Sequence, residues 1–526
     1  QKVHENRNNM TGGFTMKEKS ENTAEYRFHM LRDPYRPGYH FAIPSGDGRP
    51  GDPNGAFFAD GRYHLMYLYR NHAREDFCWG HISSTDLLHW RAHPDALTGV
   101  NGDEGAFSGG AFLDDDGTAY LTFWKFAAKN WSDNGGIAIA FSKPPYDDWE
   151  RIEPIAINGC RDPWGTVDIE VDGKTEHIAA ADPSNIWKMN GHYYMQTGNL
   201  IVLNSYGRAA DSEEKYKGDH TDLFRSDDMI HWTFVHRFYD NPRTNPEWPD
   251  ASEDDMCPSF LPLPDRKRGG RLTDTWFQLF IAHNRGAQYY TGRLDGEKFI
   301  PEKHGRFSWV DSACFAPEAL IDDKNRQIAW YWLRDNPCDD FEKYGWTGVY
   351  SFPRTFWLEN GELRMAPAEE LDRLEYNTQT AAPMKVDGKA EIPVRNGESF
   401  RLKCRISMSG AGRAGFSVRH SDETGEHTDI YYDRTAGKLV FDATESGCDG
   451  WRAKEEAPFT LAEGETLDLD IFVDKSVIEV YANERQAIVR RVYPLKPETA
   501  VKVYAVSDGA VFGETIVSEM APTNLY

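Results

Sequence analysis

Six carboxylates in this sequence stand where a stiff local backbone could present them. Asp52 opens D-P-N-G-A-F-F, and Asp182 opens D-P-S-N-I-W. Glu253, Asp254 and Asp255 form an acidic run ahead of M-C-P-S-F, and Glu318 follows F-A-P. Hydrolysis of a glycosidic bond usually takes two carboxyl groups: one protonates the leaving oxygen and the other serves as nucleophile or base. An Asp braced by Pro and followed by a turn residue is a way of holding such a group rigidly, and here that device occurs twice. Asn54, Trp79, Phe107 and Ser108 lie near these segments or in similar strand openings, and are candidate sugar-binding residues. His89 and His231 occupy matching repeat positions, which points to structure rather than chemistry.

The elements that must position these residues repeat along the chain. S-T-D-L-L-H-W at 84–90 returns as S-D-D-M-I-H-W at 226–232, with a degenerate copy at 142–149. A second unit runs from a small or acidic start through an apolar strand and an Asp/Asn/Gly turn to an aromatic strand. It opens at Asp52, Ser108, Asp182, Pro258 and Pro317. Turns such as A-D-G, D-D-D-G and M-N-G between alternating apolar runs are hairpin signals. Five hairpin-rich units at this spacing predict an all-β, five-bladed β-propeller, one four-stranded blade per unit. The first strand of each blade lines the central channel, so Asp52 and Asp182 are expected to meet at one mouth of it.

After about residue 366 the texture changes. The expected layout is a polar N-terminal segment over 1–35, a catalytic propeller over 36–366, a linker with a short helix over 367–379, and a β-sandwich over 380–526. The sandwich follows from seven or more short alternating strands that lack the blade motif.

Composition narrows the partner. The formal charge is −25, from 59 basic and 84 acidic residues. That argues against nucleic acid or an anionic membrane, both of which call for a basic surface. There is no apolar run of about 20 residues to cross a bilayer. Sixteen Trp and 25 Tyr suit a carbohydrate, an oligo- or polysaccharide, as substrate. The seven Cys are sparse and odd in number, and no His/Cys/Asp grouping has metal-ligand spacing, so neither a disulfide framework, a metal nor a cofactor is expected. The chain starts at Gln1, from which a secreted or periplasmic location is expected.

The segments H-F-A-I-P-S-G-D-G-R-P-G-D-P-N-G (40–55) and W-G-H-I-S-S-T-D-L-L-H-W (79–90) resemble motifs of glycoside hydrolase family 32. That family holds the invertases, inulinases and levanases. F-S-G-G (107–110), Q-Y-Y-T-G-R-L-D-G (288–296), F-A-P-E (315–318), S-F-P-R (351–354) and F-V-D-K-S-V-I-E-V-Y-A-N (472–483) are similar too, in the family's order. The resemblance implies a propeller plus sandwich, with Asp52 as catalytic nucleophile. It implies that Asp182 is the Asp of the R-D-P motif that hydrogen-bonds sugar hydroxyls, although Ala181 stands where the family has Arg. A literal R-D-P occurs at 161–163, which leaves Asp162 as an alternative.

Other departures are sharper. Met256 stands where the family has its acid/base Glu before Cys-Pro, and a thioether cannot transfer a proton. Strand alternation would offer Asp254 in its place, a one-residue bulge Asp255. Glu253 and Glu318 are further candidates, the latter standing where the family has Gln. Arg49-Pro50-Gly51 replaces the family's W-M-N, so altered substrate preference is expected. The leading expectation is a retaining hydrolase of fructosides or related furanosides. The alternatives are an inverting arabinofuranosidase-like enzyme, a transglycosylase, or a sugar-binding protein that has lost its acid.

Overall fold

The computed structural model describes residues 32–42, 48–71, 76–99, 105–126, 135–153, 156–158, 166–199, 219–240, 254–334, 346, 348–447 and 452–524. Its strands begin from the turn code. Asp60-Gly61, Asp172-Gly173, Asn190-Gly191 and Asn360-Gly361 all take positive φ at both positions and join directly paired strand ends. Two consecutive positive-φ residues make the type I′ turn, whose twist matches that of the flanking strands. Asn or Asp followed by Gly tolerates that conformation best.

Five antiparallel blades result, all-β as the repeats predict. Blade one comprises Gly48–Ala59, Arg62–Asn71, Asp76–Ser84 and Arg91–Leu97. Blade two comprises Ala111–Leu113, Ala119–Phe126, Gly136–Ser142 and Glu150–Arg151. The short strand Gly105–Ala106 pairs with both blades and joins them. Blade three is built on Ala181–Pro183 and Trp187–Met189, both paired with His192–Gly198 and followed by His220–Ser226 and Thr233–Asp240. Blade four comprises Met256–Pro264, Leu272–Ala282, Gly286–Asp295 and Lys298–Arg306. Blade five comprises Cys314–Ile321, Gln327–Leu333, Arg354–Glu359 and Glu362–Pro367, with Val349–Tyr350 beside its second strand.

The S-x-D-x-x-H-W repeat is a tight turn between outer strands. Asp86 accepts the N–H groups of Leu88 and His89, and Asp228 accepts those of Ile230 and His231. Ser84 and Ser226 donate to the same carboxylates, and the His rings bond back to them from solvent. His89 and His231 thus serve the fold.

A 3-10 helix at Glu369–Leu374 leads out of the propeller. The next strand, Glu375–Ala381, already pairs with the long terminal strand Lys502–Met520, so the sandwich begins about five residues before the expected boundary at 380. Its sheet holds eleven strands around a core of Phe400, Leu402, Phe416, Ile430, Ile471 and Phe512. The segment 33–42 is also more structured than its polarity implies. Gly38, Tyr39 and His40 donate their N–H groups to Asp474, and Asp33 accepts from Trp346 Nε1 at 2.7 Å. The expected boundary after residue 35 therefore falls inside a docked segment.

Candidate active site

The innermost strand of blades one, three, four and five breaks register where it opens. At or beside each break a residue takes positive φ: Gly55, Asp182, Cys257 and Ala316. A bulge of this kind bends the strand and re-aims a side chain. Left-handed backbone at a non-Gly residue costs about 1–3 kcal/mol, and such strain clusters at functional sites.

These openings bring Asp52 and Asp182 together. Cys257 Sγ lies 3.6 Å from Asp52 Oδ2 and 3.5 Å from Asp182 Oδ2, so both carboxylates converge on one thiol. Ser108 Oγ donates to Asp52 Oδ2, and Cys257 N–H donates to Asp182 Oδ2 at 3.2 Å. Asp52 is partly exposed and Asp182 is 5% exposed. Burial raises the Asp52 pKa, opposed by Ser108, by His283, by Cys257 and by Arg334. Burial, then the Asp52 charge, pushes Asp182 up to about 7, with His283 and the Cys257 contacts opposing. Burial and both carboxylates push the Cys257 thiol well up, so it remains S–H and serves as a donor rather than a nucleophile.

The other expected residues fall into supporting places. Asn54 is 1% exposed and links blades, with Oδ1 accepting from Gly109 N–H at 3.3 Å. Ser108 is the group on Asp52. Phe107 is partly exposed, against Phe77 and Trp124. Trp79, expected at the mouth, is instead fully buried, its Nε1 donating to the Phe107 carbonyl at 3.2 Å. This corrects its assignment as a sugar-contacting residue, because the ring is enclosed in the blade core with Met66, Leu121 and Phe123.

The candidates for the missing acid are spread out. Asp254 is fully buried and its Oδ2 accepts from His283 N–H at 3.2 Å and faces His283 Nδ1 at 2.7 Å. Asp255 is fully buried and faces the Tyr239 hydroxyl. Glu318 is 3% exposed and accepts Ala56 N–H at 2.7 Å, closing blade five onto blade one. Burial pushes its pKa well up, with the Ala56 N–H opposing. Asp162 and Glu253 lie outside the described residues. Met256 is 2% exposed and packs against Gly198, where a Cβ would stand 2.8 Å from its sulfur.

Sequence reasoning missed His283, which follows the second strand of blade four and interacts electrostatically with both site aspartates. It also missed a grouping of His81, His93 and Asp147, side chains distant in sequence that meet between blades one and two. The His81 and His93 rings stack at 4.2 Å and 20°. His93 is bonded through both nitrogens, to Ser83 and to Asp147, and His81 Nε2 meets His64 Nδ1 at 2.9 Å. Ring lone pairs lie in the ring plane, so nearly parallel rings do not aim two nitrogens at one ion. The grouping is a hydrogen-bonded ladder.

Two family models match consecutively: the glycosyl hydrolases family 32 N-terminal domain over 43–367, and the family 32 C-terminal domain over 369–519. The sucrose-6-phosphate hydrolase of Zymomonas mobilis is 26% identical, with 92% of each chain covered. The levanase of Bacillus subtilis is 26% identical over 90% of this chain and 69% of its own. Among solved structures, fructan 1-exohydrolase IIa from Cichorium intybus superposes with a TM-score of 0.77 at 20% identity, covering 93% of this chain and 98% of its own. Sucrose-6-phosphate hydrolase from Lactobacillus gasseri gives 0.72 at 19% identity, covering 97% and 100%. With both models matched end to end over a propeller whose bulged strands gather Asp52 and Asp182, the chain belongs to glycoside hydrolase family 32.

Proposed function

We propose that the protein hydrolyses a fructoside or a related furanoside with retention of configuration. Asp52 attacks the anomeric carbon and Asp182 holds the ring hydroxyls. The observation that carries this reading is the convergence of both carboxylates on Cys257 Sγ, at 3.6 and 3.5 Å. Asp52 fits the nucleophile because it is the more exposed of the two, and its ionised form accepts hydrogen bonds from Ser108 and Cys257. Asp182, near half-protonated at neutral pH with its value about 7, suits a group that both accepts from and donates to hydroxyls. The kestose-bound structure of the Cichorium intybus relative supports a fructose-containing oligosaccharide as substrate. The departures at Arg49-Pro50-Gly51 and Met256 support a preference displaced from that of those relatives.

An activity screen over sucrose, fructans, arabinans and aryl furanosides, with Asp52→Asn as control, tests this. The variant is expected to lose at least about a thousandfold in turnover while its thermal unfolding stays close to wild type. Turnover unaffected by Asp52→Asn removes the mechanism. Inversion of the anomeric product by NMR removes retention.

A further inference from the structure

We propose that His283, oriented by the buried carboxylate of Asp254, is the proton donor and acceptor of this active site, in place of a carboxylic acid. The assignment rests on the hydrolase reading above and names the group that reading lacks.

Of the acids expected for this role, none of those described is placed to serve. Met256 has no transferable proton, Asp255 is closed off beside Tyr239, and Glu318 holds the backbone of blade one. Asp254 is itself fully buried, and what it presents to the site is the imidazole bonded to it. His283 is placed to serve. Its Nδ1 lies 2.7 Å from Asp254 Oδ2, and the same oxygen accepts the His283 backbone N–H. A carboxylate on one ring nitrogen fixes that nitrogen as N–H, leaving Nε2 as the exchanging position. The ring keeps 39% of its surface open and stands edge-on to Phe315 at 5.5 Å, on the inner strand of blade five.

The charges around the ring favour its protonated form. Burial alone would lower the His283 pKa, but Asp254, Asp182 and Asp52 together raise it. Arg334, which lies over Phe315 beside the ring, acts on Asp52.

The step balances. The Asp52 carboxylate forms an ester to the anomeric carbon as the bond to the leaving oxygen breaks. The released electron pair takes the proton from His283 Nε2, giving the free alcohol and a neutral imidazole. That imidazole then removes a proton from water, whose oxygen displaces Asp52, and the imidazolium and carboxylate are restored. Asp254 acts throughout as a positioning residue.

The test uses the full chain and two substrates, sucrose or whichever furanoside the wild type turns over, and the matching furanosyl fluoride, whose leaving group needs no proton. His283→Gln is expected to slow the alcohol-leaving substrate by about 10²–10⁴-fold while the first release of fluoride changes far less. Its profile should lose the alkaline limb, and added azide should yield the glycosyl azide. Asp254→Asn should shift the alkaline limb to lower pH, because it removes the charge that raises the imidazole. Equal losses on both substrates, or an unchanged pH profile, would overturn the assignment alone. A wild type inert on both would overturn the hydrolase reading and this with it.

Discussion

Asp182 is placed against the interest of the fold. A carboxyl held at about 7 in the native state, against 3.8 when exposed, binds its proton more tightly folded than unfolded. Between those values the native state holds more protons, so stability falls as pH rises through the window, by roughly 1.4 kcal/mol for each pH unit crossed. Asp182→Asn keeps the shape without the charge. It is expected to be more stable than wild type above pH 7, by an order of a few kcal/mol, and equal to it near pH 4, while activity is lost. Denaturant titrations at the two pH values check this, and a constant difference would remove the electrostatic account. Asp52 and Asp182 were legible in the sequence because Asp-Pro recurs at equivalent blade positions. His283 was not, since its meaning comes from Asp254, 29 positions earlier on an adjacent strand end, and no repeat marks that contact. Trp79 misled because an aromatic near a motif reads the same whether it stacks on sugar or packs edge-on against Phe123.

At the scale of elements, the hairpin turns carried the fold into the sequence, and the bulges that aim the site did not. Asn-Gly and Asp-Gly announce themselves, whereas left-handed backbone at Asp182, Cys257 and Ala316 breaks local preference and is imposed by neighbouring blades. Gly55 is the exception, a glycine where one is needed. Its φ is +53°, and a Cβ there would stand 2.9 Å from Leu121 Cδ2 and 3.0 Å from Trp79 Cζ3. Both neighbours are fully buried and so have little room to yield. Gly55→Ala is expected to destabilise by about 2–4 kcal/mol, from overpacking and left-handed strain together. It should also depress turnover beyond any effect on folding, because Asn54 borders the same register break and Asp52 lies in the break just before it. Thermal unfolding and turnover of the folded fraction separate the two effects; full activity per folded molecule would show that the bulge does not set the Asp52 position.

Across the whole molecule, propeller and sandwich contribute to one bridging hydrophobic cluster, and none of that was legible from strands read singly. Phe352 stacks on Tyr39 and meets Phe472 edge-on, within a cluster that also holds Phe356, Val477, Tyr481 and Val489. Buried in this contact, Glu479 takes Arg354 at 2.9 Å and lies 3.5 Å from His40, all without exposure. Burial would raise Glu479, but His40 and Arg354 hold it low; burial would lower His40, but Asp474 and Glu479 hold it up. The signs set a window. The Glu479 contribution is present above its unfolded value of 4.5 and lost as pH falls through its lowered folded value. The His40 contribution is complete below 6.5 and lost as pH rises through its raised folded value. Removing one partner of a buried ion pair strands the other, at about 3–5 kcal/mol. Glu479→Gln is therefore expected to destabilise by that amount at pH 6. The deficit should shrink at higher pH as the wild type loses its His40 charge, leaving Arg354 as the stranded group. Calorimetry across pH 5 to 9 reads this directly: a deficit independent of pH would mean that His40 is neutral in the native contact, and that Arg354 alone answers the Glu479 charge.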